Sequence, residues 1–342
     1  VKVFSSQTRF GSSYWAIPLG LFFSGILFVI LIFSANHFEP KNRVSQFILY
    51  KDEPVRTTAY RLKEAGIIDN PTKFILLAKL FGYERKLRMG RYNLTKGLSE
   101  FSALKILSQG GRGTTLVTIP EGKTLKQIAE ILEEQGICAK EDFLTICFDP
   151  NLLLGLGIKA NSAEGYLFPD SYEFSIQADP KEVLIRMVKR FFAVYNSLMD
   201  SKDPASSRLS LHEIVTLASI VEAEAQLDSE RPIIASVFLN RLKKRLPLQS
   251  CATVEYILKE RKPRLAIKDL SIESPYNTYL HLGLPPGPIC NPGRNSLLAI
   301  LFPAQTEYLF FVSKGDGSHQ FSKTSQEHQI ATRRYQKRLQ EN

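Results

Sequence analysis

From Phe10 to Asn36 the sequence carries no charge, and Trp15 to Phe33 is apolar apart from Pro18, Gly20, Ser24 and Gly25. Roughly 20 such residues, rising ~1.5 Å each, cross about 30 Å of hydrocarbon, so residues 14–35 are expected to form a transmembrane helix. Lys2 and Arg9 precede the stretch, and Tyr14 and Trp15 stand where interfacial aromatic anchors belong. That pattern puts residues 1–13 in the cytoplasm and the rest outside the inner (plasma) membrane, in the periplasmic or extracytoplasmic space. A cleaved signal peptide is the competing reading. Its apolar core is shorter, about 7 to 15 residues, and Phe33-Ser34-Ala35 is a poor small-x-small site, which favours the uncleaved anchor.

The charge is uneven along the chain. Of 342 residues, 44 are Lys or Arg and 34 Asp or Glu, a net +10, yet residues 41–112 alone hold 15 basic against 6 acidic side chains. A small α+β module is expected over 41–113: a strand at 47–50, helices near 57–65 and 72–81 around the turn Asp69-Asn70-Pro71, a strand at 91–94 and a helix over 101–107. A basic face beside a membrane suits anionic headgroups or anionic wall polymers, though a solvated surface explains it equally well. Nucleic acid is disfavoured because the anchor puts this charge on the wrong side. A second domain is expected over 114–342, opening with a strand at 116–119, a turn at Pro120-Glu121-Gly122-Lys123 and a helix capped by Thr124, and closing in a basic helix over 326–340.

Three stretches carry chemistry. In Leu211–Ala225, Val215, Ala218, Ser219 and Glu222 share one helical face, placing the Glu222 carboxyl at the end of an apolar or small-residue stripe. A carboxyl desolvated there keeps its proton more readily, as a general acid must; an ordinary boundary glutamate at a helix end fits the same spacing. Glu224 lies about 200° further round the helix, so it is expected to face solvent rather than pair with Glu222. In Glu164-Gly165-Tyr166-Leu167-Phe168-Pro169-Asp170, aromatic faces and carboxylates suit a glycan, while a core plug is the plainer alternative. The Pro- and Gly-rich run Ser274–Gly293, with Tyr276, Asn277 and Pro286, specifies a rigid loop. Asn240, Arg241 and Gln249 add polar groups suited to orienting a substrate. No HExxH, phosphate-binding loop or GxSxG elbow occurs; His212-Glu213 is followed by Thr216 where a zinc site wants histidine. The four cysteines form no CxxC, and with none of these motifs present neither a metal nor a nucleotide cofactor is indicated.

Taken in order, these residues resemble the endolytic murein transglycosylase, or YceG-like, family. The resemblance rests on an N-terminal apolar helix, a LysM-like module, Ile119-Pro120-Glu121-Gly122-Lys123-Thr124, Glu164–Asp170, Ala218–Glu224, Glu230-Arg231, Ala235–Leu242, Leu248-Gln249-Ser250, Tyr276–Tyr279, Gly283–Ile289 with Asn291-Pro292-Gly293, and His319, Phe321, Thr324 and His328. It implies a lyase that cuts nascent peptidoglycan strands between N-acetylmuramic acid and N-acetylglucosamine, leaves 1,6-anhydromuramyl ends and so terminates strand elongation. Glu222 falls on the family's catalytic glutamate. One carboxyl then donates a proton to the glycosidic oxygen and takes one from the muramyl C6 hydroxyl as that oxygen attacks C1, with no water to activate.

By the same resemblance, Asn240, Arg241, Gln249, Tyr276 and Asn277 hold the sugar ring, and the partners are peptidoglycan glycan strands, peptidoglycan synthases and proteins of the division or elongation machinery. A non-catalytic glycan-binding or division scaffold, and a hydrolytic muramidase with Glu164 or Asp170 as second carboxylate, remain the alternatives. Two departures stand out. Where the family commonly has Gln-Thr-Asp-Pro-Thr this chain has Gln249-Ser250-Cys251-Ala252-Thr253, and Glu-x-Glu-Thr is here Glu222-Ala223-Glu224-Ala225. Cys251 and Cys290 lie near two motif loops, and a disulfide between them is conceivable in an oxidising envelope.

Overall fold

The computed structural model describes residues 41–111, 113–200, 209–260 and 265–341. The expected membrane helix at 14–35 lies outside them, and among the described residues no helix is long and apolar enough to cross a membrane. The chain divides into two compact units at Arg112/Gly113. Both are α+β, mostly helical with small two-stranded antiparallel sheets.

In the first unit β1 (Lys41–Leu49) pairs with β2 (Gly90–Lys96), and three helices pack on them: α1 (Val55–Glu64), α2 (Pro71–Leu80) and α3 (Glu100–Gln109). Asn70 caps α2 by accepting from the Lys73 amide at 3.0 Å, and Pro71 takes the first helical position, where no N–H is needed. Phe47, Leu49, Leu62, Phe74, Leu94 and Leu104 close the core. Glu100, almost fully buried, accepts from the Asn70 amide at 3.1 Å and pairs with Lys73 at 3.3 Å, which ties the start of α3 to the start of α2.

The second unit opens with β3 (Thr114–Thr118), paired antiparallel to β4 (Ser171–Ser175) with Val117 opposite Tyr172. Between them lie α4 (Leu125–Glu134), α5 (Lys140–Ile146) and α6 (Pro150–Gly155). Thr124 and Gln127 form a reciprocal capping box at the start of α4, whose Leu125, Ile128, Ala129 and Leu132 turn inward at helical spacing. The long α7 (Pro180–Met199) follows, then α8 (Leu211–Glu224), α9 (Arg231–Lys243), α10 (Cys251–Leu258), α11 (Ile267–Leu270) and α12 (Arg294–Leu301). The hairpin β5 (Phe310–Ser313) and β6 (His319–Ser322) precedes the terminal α13 (Ser325–Glu341).

Helix α8 is the axis of this unit. A capping box of Ser210 and Glu213 starts it, and all eight residues Ile214–Val221 are buried, wrapped by α9, α10 and α12. A helix buried all round over these two turns has no solvent face there, so after Glu213 the next long polar side chain emerges at the far end, at Glu222.

Candidate active site

The Glu222 side chain is only 6% exposed. Its Oε2 accepts from the Gly293 amide at 2.9 Å and from the Ser296 hydroxyl at 2.8 Å, while Oε1 faces Nη1 of Arg231 at 3.2 Å. Gly293 is the N-cap of α12 and Ser296 lies in its first turn, so the carboxyl meets the helix end whose amides lack internal partners. Arg231 begins α9; its Nε donates to Asp228 at 2.7 Å and its Nη1 to the Ser296 hydroxyl, and Asn295 holds the other Asp228 oxygen at 3.0 Å. The sequence reading expected an apolar setting at the end of a stripe. The structure corrects it: the carboxyl is buried, but among a guanidinium, an amide and a hydroxyl. A carboxylate oxygen has two acceptor sites, so Oε2 is filled and Oε1 keeps one, beside Arg231.

Glu222 opens on a groove of about 1440 Å³ lined also by Glu121, Lys123, Phe148, Glu164, Tyr256 and Tyr276. Glu121, in the turn before α4, presses against Gly293 so closely that a Cβ added there would lie 1.9 Å from its Oε1. Partial withdrawal from solvent, followed by the like charge of Glu222, raises the Glu121 carboxyl above its ordinary range; Arg231 opposes this and Asp228 adds to it. Gly122, at φ +74°, makes the left-handed turn that brings Glu121 here, its amide donating to the Asn291 carbonyl at 3.0 Å.

Fully buried Asn291 joins three segments. Its Oδ1 accepts from the Leu167 amide at 2.9 Å, and its Nδ2 donates to the Lys123 carbonyl and to Oε1 of Glu164, each at 2.9 Å. Glu164 also receives the Leu125 amide at 2.9 Å, anchoring the start of α4. Burial pushes the Glu164 carboxyl up to about 8, the hydrogen bonds from Leu125 and Asn291 working the other way. The adjoining Gly165, at φ +87°, has no room for a side chain: a Cβ would lie 2.4 Å from Pro288 and 2.7 Å from Val215.

The other residues singled out in the sequence lie elsewhere. Tyr166 and Phe168 are buried in the core, Tyr166 stacked on His212 and Phe168 under Arg190. The Tyr166 hydroxyl meets Nδ1 of His212 at 3.0 Å, and Nε2 of His212 meets the Pro286 carbonyl at 3.0 Å, so the exposed Pro286 belongs to a loop pinned through histidine. Asp170 pairs with Arg190 at 2.7 Å, away from the groove. Asn240 donates to the carbonyls of Thr306 and Tyr308 at 2.9 and 3.1 Å. Arg241 donates to the carbonyls of Pro247 and Leu309 and to the Gln249 side chain. Asn277, fully buried, donates to the carbonyls of Leu270 and Ile272 at 2.9 and 2.8 Å. These polar groups shape loops; of the proposed ring-holding set, Tyr276 alone lines the groove, tilted against Tyr256 with centroids 5.0 Å apart.

A further expectation is corrected, and the open question of a disulfide is answered. Glu224 does not face solvent: it accepts from the Ser250 hydroxyl at 2.5 Å, holding the start of α10. Cys251 and Cys290 are not bridged. Cys251 is exposed beside the Tyr279 hydroxyl at 3.1 Å, and the buried Cys290 thiol points to the Ser219 carbonyl at 3.3 Å. Glu121, Arg231, Gly293 and Ser296 went unselected as site residues, although the first three stand inside the family-like motifs.

A model of the YceG-like family matches residues 47–334. The chain belongs to the YceG-like family. It is 35% identical over 299 residues to the endolytic murein transglycosylase of Bacillus subtilis (strain 168), covering 82% of each chain. It is 32% identical over 287 residues to the protein of that name from Streptococcus pneumoniae serotype 2 (strain D39), covering 74% of this chain and about half, 51%, of the pneumococcal one. Among solved structures it resembles a YceG-like protein of Listeria monocytogenes, with a TM-score of 0.60 and 31% identity over 84% of this chain and 98% of that one.

Proposed function

We propose that this YceG-like protein is an endolytic murein transglycosylase that cuts peptidoglycan glycan strands between N-acetylmuramic acid and N-acetylglucosamine and leaves 1,6-anhydromuramyl ends. The observation that carries this reading is Glu222, a buried carboxyl fixed on three sides and opening on a groove at the one oxygen with a free acceptor site. Relatives that bear the transglycosylase name support the choice of substrate.

The chemistry follows from that free site. As the glycosidic bond lengthens, a proton held on Oε1 of Glu222 moves to the departing oxygen, and the carboxylate so formed takes the proton of the muramyl C6 hydroxyl as that oxygen attacks C1. Arg231, Gly293 and Ser296 hold the carboxyl still, so alignment of an internal nucleophile can contribute several kcal/mol, on the order of 7 to 11 at best. The aromatic pair Tyr256 and Tyr276, with exposed Phe148, supplies faces on which sugar rings can pack. The apolar stretch at 14–35 would tether the enzyme to the inner membrane with its groove outside, next to the synthases that extrude new strands, and the basic LysM-like unit would meet anionic wall polymers there.

The test is to incubate the protein with uncrosslinked glycan strands and determine the new ends by mass spectrometry. Anhydro ends made by the wild type and absent with Glu222→Gln support the reading. Binding with no cleavage would instead fit a scaffold.

A further inference from the structure

Resting on the transglycosylase reading, we infer that Lys123 sets substrate choice: its ammonium pairs with a carboxylate on the acyl arm at C3 of the muramyl ring, so the enzyme favours strands whose arms are acidic.

The turn that carries Lys123 lies against the Glu222 side chain. A Cβ added at Gly122 would stand 3.7 Å from Cγ of Glu222, and Lys123 is the next residue along. Its main chain is held in place, because the Lys123 carbonyl accepts from both the amide and Nδ2 of Asn291, each at 2.9 Å. The side chain lines the groove and is half-buried, yet among the described residues no acceptor takes a hydrogen bond from its ammonium and no carboxylate pairs with it. A cation partly withdrawn from water without a counter-charge is a cost that a bound anion removes.

The neighbouring cations are less suited. Lys126 is exposed and lies near Glu130, which Lys140 already bonds at 2.8 Å. Lys259 is exposed where α10 ends, and Arg231 already serves Glu222, Asp228 and Ser296. Glu121, Glu222, Glu255 and Glu260 make much of the remaining lining acidic, so an anionic arm finds its counter-charge at Lys123. The substrate's own chemistry brings the two together. The bond to be cut leaves C1 of the muramyl ring and the arm leaves C3 of the same ring, so a side chain beside the turn that touches Glu222 is near the arm. A bare arm ends in its lactyl carboxylate; in an arm extended by a stem peptide that group is an amide and the acids are the peptide's.

The experiment uses the full chain and uncrosslinked, stem-bearing strands whose amines are acetylated, either left acidic or converted to methylamides at every carboxylate. Wild-type kcat/KM is expected to fall about tenfold on the methylamides, chiefly through KM. Lys123→Met should cut acidic strands about tenfold less efficiently than wild type, match it within about threefold on methylamides, and so no longer tell the two apart; Lys123→Arg should keep most of the preference. Peptide-stripped strands and their methylamides assign the source. A preference there that Lys123→Met loses identifies the lactyl carboxylate, and a preference confined to stem-bearing strands identifies the peptide's acids. A wild type that cuts acidic and methylamidated strands equally, or a Lys123→Met that keeps the preference, would overturn the assignment. A wild type that cuts no strand overturns the transglycosylase reading itself; dissociation constants for the same strands then decide Lys123, by the same tenfold contrast present or absent.

Discussion

The Gly293 amide donates to Oε2 of Glu222 at 2.9 Å, while the Cα of that glycine carries the Glu121 carboxyl against it. A methyl at 293 would meet the end of a flexible side chain, not backbone. Gly293→Ala is therefore expected to fold with a melting temperature within a few degrees of wild type, since such a swing costs about 1 kcal/mol, yet to cut strands at least about tenfold more slowly. Thermal unfolding and strand cleavage, measured on one preparation, check both halves.

Arg231 pairs with buried Glu222 and also bonds Asp228 and Ser296. Arg231→Ala leaves that carboxyl without its cation and is expected to cost about 3 to 5 kcal/mol in denaturant unfolding. Arg231→Lys should recover only part, because a single ammonium cannot serve three partners in one plane.

Asn291→Ala removes three hydrogen bonds at once and strands the Leu167 amide in the interior, while the Lys123 carbonyl keeps the main-chain N–H of residue 291 at 2.9 Å. A buried orphan costs about 1 to 3 kcal/mol, so a loss in that range is expected, with cleavage impaired because the turn at Lys123 and the Glu164 side chain both line the groove. Asn291→Asp should be no better, since it loses the donor to Lys123 and Glu164 and puts a fully buried carboxyl in its place.

Glu164 gives stability a pH dependence. Burial pushes its carboxyl up to about 8 from an ordinary 4.5, so between those values the folded chain holds a proton that the unfolded chain has released. Its contribution is full below the unfolded value, shrinks as pH rises and is spent above about 8. Unfolding measured from about pH 5 to pH 8 should show wild type weakening, and Glu164→Gln should flatten that slope.

Local signals were legible wherever local physics decides. Asn70-Pro71 started α2, Thr124 with Gln127 started α4, and helical spacing set Glu222 at the end of α8. The site itself is made across distance: Asn291 reaches 168 residues back to Lys123, and Ser296 reaches 74 back to Glu222. No periodicity encodes such contacts. Asn240, Arg241, Gln249 and Asn277 look like ligand contacts because they are polar, but irregular loops leave carbonyls needing donors, and these side chains supply or steady them. Glu224 misled for a related reason: the helix ends at that point, and the side chain turns back to Ser250.

The most direct measurement is cleavage of glycan strands in heavy-oxygen water, with the new muramyl ends weighed. Attack by the sugar's own C6 hydroxyl, assisted by Glu222, predicts anhydro ends that carry no heavy oxygen. Reducing ends labelled at C1 would mean that water is the nucleophile and would contradict the account.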